Sequence, residues 1–119
     1  MSEHVYDLER RTLNFSKDVR DFVRALPRTI SNIEYASQLI RSSASIGANY
    51  IEANEALGKK DFLMKIKISR REAKESIYWL ELVDTGAAPE SSGARQKSLI
   101  QESTELMKIL SAIMRKSLV

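Results

Sequence analysis

The chain lacks cysteine altogether, and its 119 residues include a single histidine, His4. Without cysteine there is no disulfide framework and no thiolate site. A lone histidine argues against a histidine-based acid–base pair or a zinc site. The sequence also has neither a glycine-rich phosphate loop nor the Glu-x-x-His pattern of di-iron bundles. We therefore predict that the protein is not an enzyme and holds no metal and no cofactor.

Breaks and long apolar runs are scarce as well. The chain has only two prolines and four glycines, and no apolar run approaches the roughly 20 residues that span a bilayer. The N-terminal sequence MSEHVYDLERR has early acids and no apolar segment, unlike a signal peptide. With 43% hydrophobic and 29% charged residues, the composition favours one folded domain over residues 1–119. We expect a cytoplasmic protein without membrane contact.

Apolar residues recur at helical spacing in four segments, and no segment alternates as a strand would. The predicted helices cover residues 5–26, 32–56, 60–84 and 94–116, with residues 85–93 as the one clear loop. Short connections make neighbouring helices antiparallel. The predicted fold class is therefore all-α, an antiparallel up-down-up-down four-helix bundle.

Local signals refine the second helix. Ser31 and Glu34 fit a capping box at its start, and Gly58 fits a cap at its end. Its apolar residues fall on two faces, which predicts a largely enclosed helix. Small residues cluster around Gly47, and a glycine inside a helix suggests that another helix approaches closely there.

Basic residues concentrate at the start of the third helix. Residues 59–74 hold seven Lys or Arg against two acids, although the whole chain carries a net charge of only +3. A helical projection places five residues on one stripe opposite the core, which we call the basic stripe: Lys60, Lys67, Arg71, Lys74 and Tyr78. Such a stripe could follow a phosphate backbone, with Tyr78 stacking on a base. A solvated helix face, aided by a pair such as Arg71 with Glu75, would carry the same pattern.

Three further groups of residues stand out. The first helix carries what we call the N-terminal basic set, a second candidate for phosphate contact: Lys17, Arg20 and Arg24. The polar cluster of the second helix consists of Arg41, Ser45, Asn49 and Glu52. It could hold a small molecule or phosphate, but we favour a buried polar network within or between protomers. The apolar edge of the third helix, which lies off its core stripe, consists of Met64, Ile68, Trp79 and Leu82. It predicts an oligomer contact, or else it covers the edge of the bundle.

The stretch QLIRSSASIGANYIEANEA, followed by KKDFLMKIKISRREAKESIYWLEL, resembles the four-helix-bundle proteins encoded in intervening sequences of bacterial 23S ribosomal RNA genes. The positions that carry the resemblance are Arg41, Ser45, Ile46, Asn49, Glu52, Lys59, Phe62, Trp79 and Glu81. The accessory variability determinant proteins of diversity-generating retroelements are related to this family. The resemblance implies a homo-oligomer, a pentamer, with a basic surface for RNA or DNA, and it implies no catalytic activity.

The sequence thus leads to one functional hypothesis and one alternative. The hypothesis is a non-enzymatic homo-oligomer that binds structured RNA or DNA by phosphate contacts from its basic surface. The alternative is an assembly or adaptor protein that binds another protein through apolar surface such as Trp79, without nucleic-acid contact. Nucleic-acid binding should weaken steeply with salt, whereas adaptor binding should not.

Overall fold

A computed structural model describes the backbone of residues 3–118 and the side chains of residues 8–118. It contains four helices, and the part of the chain so described contains no strand. The helices are α1 (Glu3–Arg24), α2 (Ile30–Asn54), α3 (Lys59–Leu82) and α4 (Ser91–Ser117). The predicted all-α fold with four helices is confirmed, and α4 begins three residues earlier than predicted.

The caps of α2 differ from the predicted ones. Thr29, not Ser31, caps the N-terminus, because its hydroxyl accepts a hydrogen bond of 3.1 Å from the backbone N–H of Asn32. The predicted capping box of Ser31 with Glu34 is therefore wrong. Gly58 does not end α2 either, since α2 ends at Asn54 and Gly58 is the extended residue just before α3.

Asn32 fastens the α1–α2 connection to the end of α3. Its side-chain amide donates to the carbonyl of Pro27 at 2.9 Å and to that of Asp84 at 2.8 Å, and its amide oxygen accepts from the N–H of Asp84 at 2.9 Å. The residue is buried. One polar side chain thus satisfies three backbone groups at this end of the bundle.

Each helix contacts two others: α1 and α3 both pack against α2 and α4, whereas the diagonal pair α1 and α3 make no direct backbone contact. Hydrogen bonds show that α3 runs antiparallel to α2, because Ser69 donates to Ile46 and Ser76 lies 2.8 Å from Ser42. These pairings are compatible with the predicted up-down-up-down order.

One stripe of α1, whose residues recur at the helical steps of three and four that predict a buried face, is buried at every position: Leu8, Thr12, Phe15, Val19, Phe22 and Leu26. The prediction that α2 is largely enclosed is wrong. One of its two apolar faces is buried through Leu39 and Ile46, but the other is open to solvent. We call this open face the isoleucine stripe: Ile33, Ile40, Ala44, Ala48 and Ile51. A helix with only two neighbours in a bundle keeps one outward face, and here that face is apolar.

Candidate nucleic-acid interface

The basic stripe lies on the outer face of α3. All five of its residues are exposed, while Ile66, Ala73 and Leu80 on the opposite face are buried. With a rise of about 1.5 Å per residue, Lys60 and Lys74 lie roughly 21 Å apart along the helix axis. The stripe is therefore long enough to face several phosphates of one strand.

Most of the charge on this stripe is not neutralised by the protein. Among the described residues, no carboxylate lies within 4 Å of the ammonium groups of Lys60, Lys67 or Lys74. Arg71 is the exception, with Glu75 at 3.7 Å and Glu72 at 3.9 Å. Both distances are long for an ion pair, so this exposed guanidinium is only loosely held.

Tyr78 ends the stripe with its ring largely in solvent. The side chain is 59% exposed, and its ring meets that of Trp79 edge to face at a centroid distance of 5.1 Å. The contact with Trp79 helps to orient the phenol ring. The ring remains accessible for stacking.

The N-terminal basic set is also exposed, and a single carboxylate lies near two of its three cations. The carboxylate of Asp21 lies 3.1 Å from Arg20 and 3.6 Å from Arg24. The hydrogen bond from Arg20, and then the charges of Arg20, Arg24 and Arg95, lower the pKa of Asp21. Because α1 is diagonal to α3, the outer faces of the two helices point in opposite directions. One protomer therefore does not present both basic groups on one surface.

Arg70 is a residue that the sequence analysis missed. It is half-buried and lines a cleft of about 420 Å³ between α3 and α4, together with Arg71 and Lys74 from α3 and Met107 and Ser111 from α4. In a helical projection Arg70 falls between the core face and the basic stripe. The cleft forms only because α4 packs against α3, and a projection of α3 alone does not show this packing.

The polar cluster does not form a buried network within one protomer. Arg41 and Glu52 are exposed, while Ser45 and Asn49 are half-buried. Ser45 donates to the carbonyl of Arg41 at 2.9 Å, and Asn49 donates to that of Ser45 at 2.8 Å. Glu52 pairs with Lys65 of α3 at 3.2 Å. Inside the protomer, hydrogen bonds along α2 and one ion pair to α3 thus take the place of the predicted network. A network between protomers stays a prediction.

The apolar edge borders the groove between α2 and α3. Met64 is 54% exposed and Leu82 36% exposed, while Ile68 and Trp79 are half-buried. Trp79 stacks on Tyr35 of α2 at a centroid distance of 6.2 Å. The indole therefore packs within the protomer, and much of the free apolar surface of this edge lies at its two ends.

Along α3, Glu72 lies between Met64 and Leu82, the two ends of the apolar edge. Its side chain is only 17% exposed, and burial, followed by the charge of Glu75, raises the pKa of its carboxyl, while Arg71 lowers it.

The described residues contain no arrangement suited to a metal ion. No three side chains among His, Cys, Asp and Glu come together there, and the side chain of His4 lies outside the described residues. None of the helices in the described range is long and apolar enough to cross a membrane.

A solved structure shares the fold of this chain. It is the crystal structure of a protein of unknown function from the S23 ribosomal protein family of Bacteroides thetaiotaomicron. The two chains are 29% identical with a TM-score of 0.79, and the match covers 93% of this chain and 97% of the other. No curated protein matches the chain.

A family model matches residues 6–112, which is most of the sequence, and it describes a 23S rRNA-intervening sequence protein. The match includes the polar cluster, the basic stripe and the apolar edge. Neither this family nor the solved structure points to an enzyme. The chain belongs to the 23S rRNA-intervening sequence protein family.

Proposed function

We propose that this protein is a non-enzymatic, cytoplasmic homo-oligomer that binds structured RNA or DNA through phosphate contacts from the basic stripe. The observation that carries the proposal is a row of exposed cations, three of which, Lys60, Lys67 and Lys74, have no carboxylate within 4 Å among the described residues. Cations that the protein leaves unpaired are available to replace the counterions of a polyanion.

The surface favours backbone contact over base reading. The cations lie along the side of a helix that is packed in a bundle, and no helix projects from the described part of the protein to enter a groove. Phosphate contacts of this kind position a nucleic acid without reading its sequence. The N-terminal basic set contributes less in this account, because α1 faces away from the basic stripe and because Asp21 offsets one of the three positive charges of the set.

Self-association would strengthen a weak single patch. We propose the closed ring of five protomers that the family resemblance implies. A ring with head-to-tail contacts needs two different faces on each protomer. The apolar edge and the isoleucine stripe meet this requirement, since the first borders the α2–α3 groove and the second borders α1. Five identical basic stripes on one ring would then bind one polyanion with avidity.

The alternative, an adaptor that binds another protein, is favoured by a different observation. A groove of about 450 Å³ lies between the end of α1 and the start of α2. Its apolar wall includes Ile33 and Ile40, each about half exposed, and its rim carries Arg24 and Arg28. An amphipathic helix with acidic flanks fits such a groove. Binding of this kind would depend mainly on apolar contact, and its salt dependence would be limited to the two arginines of the rim.

Charge reversal tests the proposed function. Lys67→Glu with Arg71→Glu changes the basic stripe by four charges, and Lys17→Glu with Arg24→Glu makes the same change on α1. All four positions are exposed, so both variants should fold, which circular dichroism melting checks. We expect the first variant to lose at least about 100-fold in affinity for a labelled structured RNA, read by fluorescence anisotropy, because it replaces two phosphate contacts by repulsion.

The α1 variant is the control for net charge alone. It should lose no more than roughly fivefold in affinity, since it makes the same change in net charge on a face that points away from the basic stripe. Equal losses in the two variants would show that only net charge matters and would refute the assignment to α3. Unchanged binding in both would move the interface elsewhere.

A further inference from the structure

The cleft between α3 and α4 brings together Arg70, Lys74 and Ser111, and none of these side chains has an ion-pair or hydrogen-bond partner among the described residues. The chain has two half-buried arginines, Arg11 and Arg70. Arg11 is held by Glu102 at 2.7 Å and by Glu105 at 3.3 Å. Arg70 has no carboxylate within 4 Å among the described residues. A partly desolvated guanidinium without a counter-ion is a preferred place for an oxyanion.

Ser111 supplies a hydroxyl on the opposite wall. Nearby hydroxyls on α4 donate within the protein: Thr104 to Ile100, and Ser117 to Ile113. No such hydrogen bond is made by the half-buried Ser111 within the described part of the chain. Its hydroxyl is therefore free to donate to a ligand in the cleft.

The cations of this cleft also repel one another. Lys74 lies four residues after Arg70 and three after Arg71, so the three side chains are neighbours on the helix surface. Only Arg71 has nearby carboxylates, at 3.7 and 3.9 Å. An anion among the three side chains would relieve the repulsion.

We propose that the α3/α4 cleft, with Arg70, Lys74 and Ser111 as ligands, anchors one phosphate of a single-stranded nucleic acid and that Tyr78 stacks on the adjoining base. This inference rests on the proposed function and narrows it to an unpaired strand, such as a loop or an end of a structured RNA.

Tyr78 is what selects a single strand. It lies one helical turn beyond Lys74, about 6 Å along the axis, and its ring is largely exposed and in contact with that of Trp79. Stacking on such a ring requires a base whose face is free, and a duplex hides the faces of its bases. Phosphate contacts alone would not distinguish the two forms.

Matched variants test the cleft. Arg70→Gln removes one charge inside it, and Arg95→Gln removes one exposed charge on α4 that lies toward Asp21 of α1. We expect Arg70→Gln to weaken binding of a labelled single-stranded RNA at least about tenfold, since it removes a charged hydrogen bond to phosphate, and Arg95→Gln to weaken it less than about twofold. Ser111→Ala, a change too small to disturb folding, should weaken it about threefold. Equal affinities of the two arginine variants for the RNA would refute the assignment of the cleft as a phosphate site.

A second comparison tests the stacking. The wild-type protein should bind the single strand about tenfold more tightly than a duplex of the same sequence, and Tyr78→Leu should remove that preference. Equal binding of single strand and duplex by the wild-type protein would overturn the assignment to unpaired strands.

Titration with a nucleoside 5′-monophosphate, followed by NMR, separates this inference from the proposed function. We expect shifts of the Ser111 amide and the Arg70 side-chain signals in the wild-type protein, and loss of the Ser111 shift in Arg70→Gln. These shifts without any polynucleotide binding would refute nucleic-acid binding and keep the cleft as a phosphate site. No shifts and no polynucleotide binding would refute both. Polynucleotide binding without these shifts would refute the cleft alone.

Discussion

Gly47 of α2 lies directly against Thr12 of α1. A Cβ atom on Gly47 would stand 2.8 Å from the hydroxyl oxygen of Thr12 and 3.1 Å from its Cβ. Thr12 is buried, and its hydroxyl donates to the carbonyl of Glu9 at 2.9 Å. The side chain therefore has little room to move, and the contact fixes how closely α1 and α2 approach.

Gly47→Ala should destabilise the protein although alanine is the better helix former. Overpacking at a site of this kind costs about 1–3 kcal/mol, and the gain in helix propensity offsets roughly 1 kcal/mol of that. Gly93→Ala is the matched control, because Gly93 also lies in a helix but has open space where its Cβ would be. Urea unfolding should show a loss for the first variant and a gain of up to about 1 kcal/mol for the second. A gain at both positions would mean that α1 and α2 are not held this close.

Glu72 should make stability depend on pH in a defined direction. Burial and the charge of Glu75 raise its pKa in the folded state, so the ionised carboxylate destabilises the folded protein. This penalty is present at neutral pH, and it declines as the pH falls from the folded pKa to the lower pKa of the unfolded chain. Glu72→Gln should therefore be more stable than the wild-type protein at pH 7, and the difference should shrink as the pH falls toward about 4. Urea midpoints at both pH values measure it, and a gap that widens in acid would contradict the account.

The apolar edge should hold protomers together. Met64→Asp with Leu82→Asp places two charges on that edge. Burying a charge in an apolar contact costs several kcal/mol. This cost is on the order of the binding free energy of a micromolar complex, so the oligomer should dissociate. Light scattering after gel filtration should give the mass of the oligomer for the wild-type protein and the 13.5 kDa of one protomer for the variant. Leu118→Asp, at an exposed position just after the end of α4, is the control and should keep the oligomer.

The isoleucine stripe can be assigned by the same measurement. Ile40→Asp dissociates the oligomer if the stripe is the second face of the ring, and it leaves the mass unchanged if the stripe receives another protein. An oligomer that resists both this variant and the double variant of the apolar edge would place the contact between protomers on other surfaces.

The elements that were predicted from sequence depend on local pattern. The stripe of α1 repeats at steps of three and four and is buried at each position from Leu8 to Leu26. The basic stripe is exposed for a similar reason, because it lies opposite the core residues of α3. In both cases the helix itself decides which way a side chain points.

What the sequence did not reveal depends on contacts between helices. Both faces of α2 are apolar, so periodicity alone does not say that Ile46 is buried and Ile40 half exposed. Buried serines were missed because they satisfy carbonyls of a neighbouring helix: Ser69 donates to Ile46, and Ser103 to Ala73. The α3/α4 cleft has the same origin, since Ser111 is distant from α3 in sequence and adjacent only in the fold.

The affinity of the wild-type protein for a labelled structured RNA with an unpaired loop, measured by anisotropy over a range of salt concentrations, tests the central claim most directly. Four cations of the basic stripe acting on phosphates predict that log K falls with log salt at a slope of about −3, and more steeply if several protomers engage one RNA. No binding at about 50 mM salt, where the Debye length exceeds 10 Å, or a slope near zero, would contradict the account and favour a protein partner.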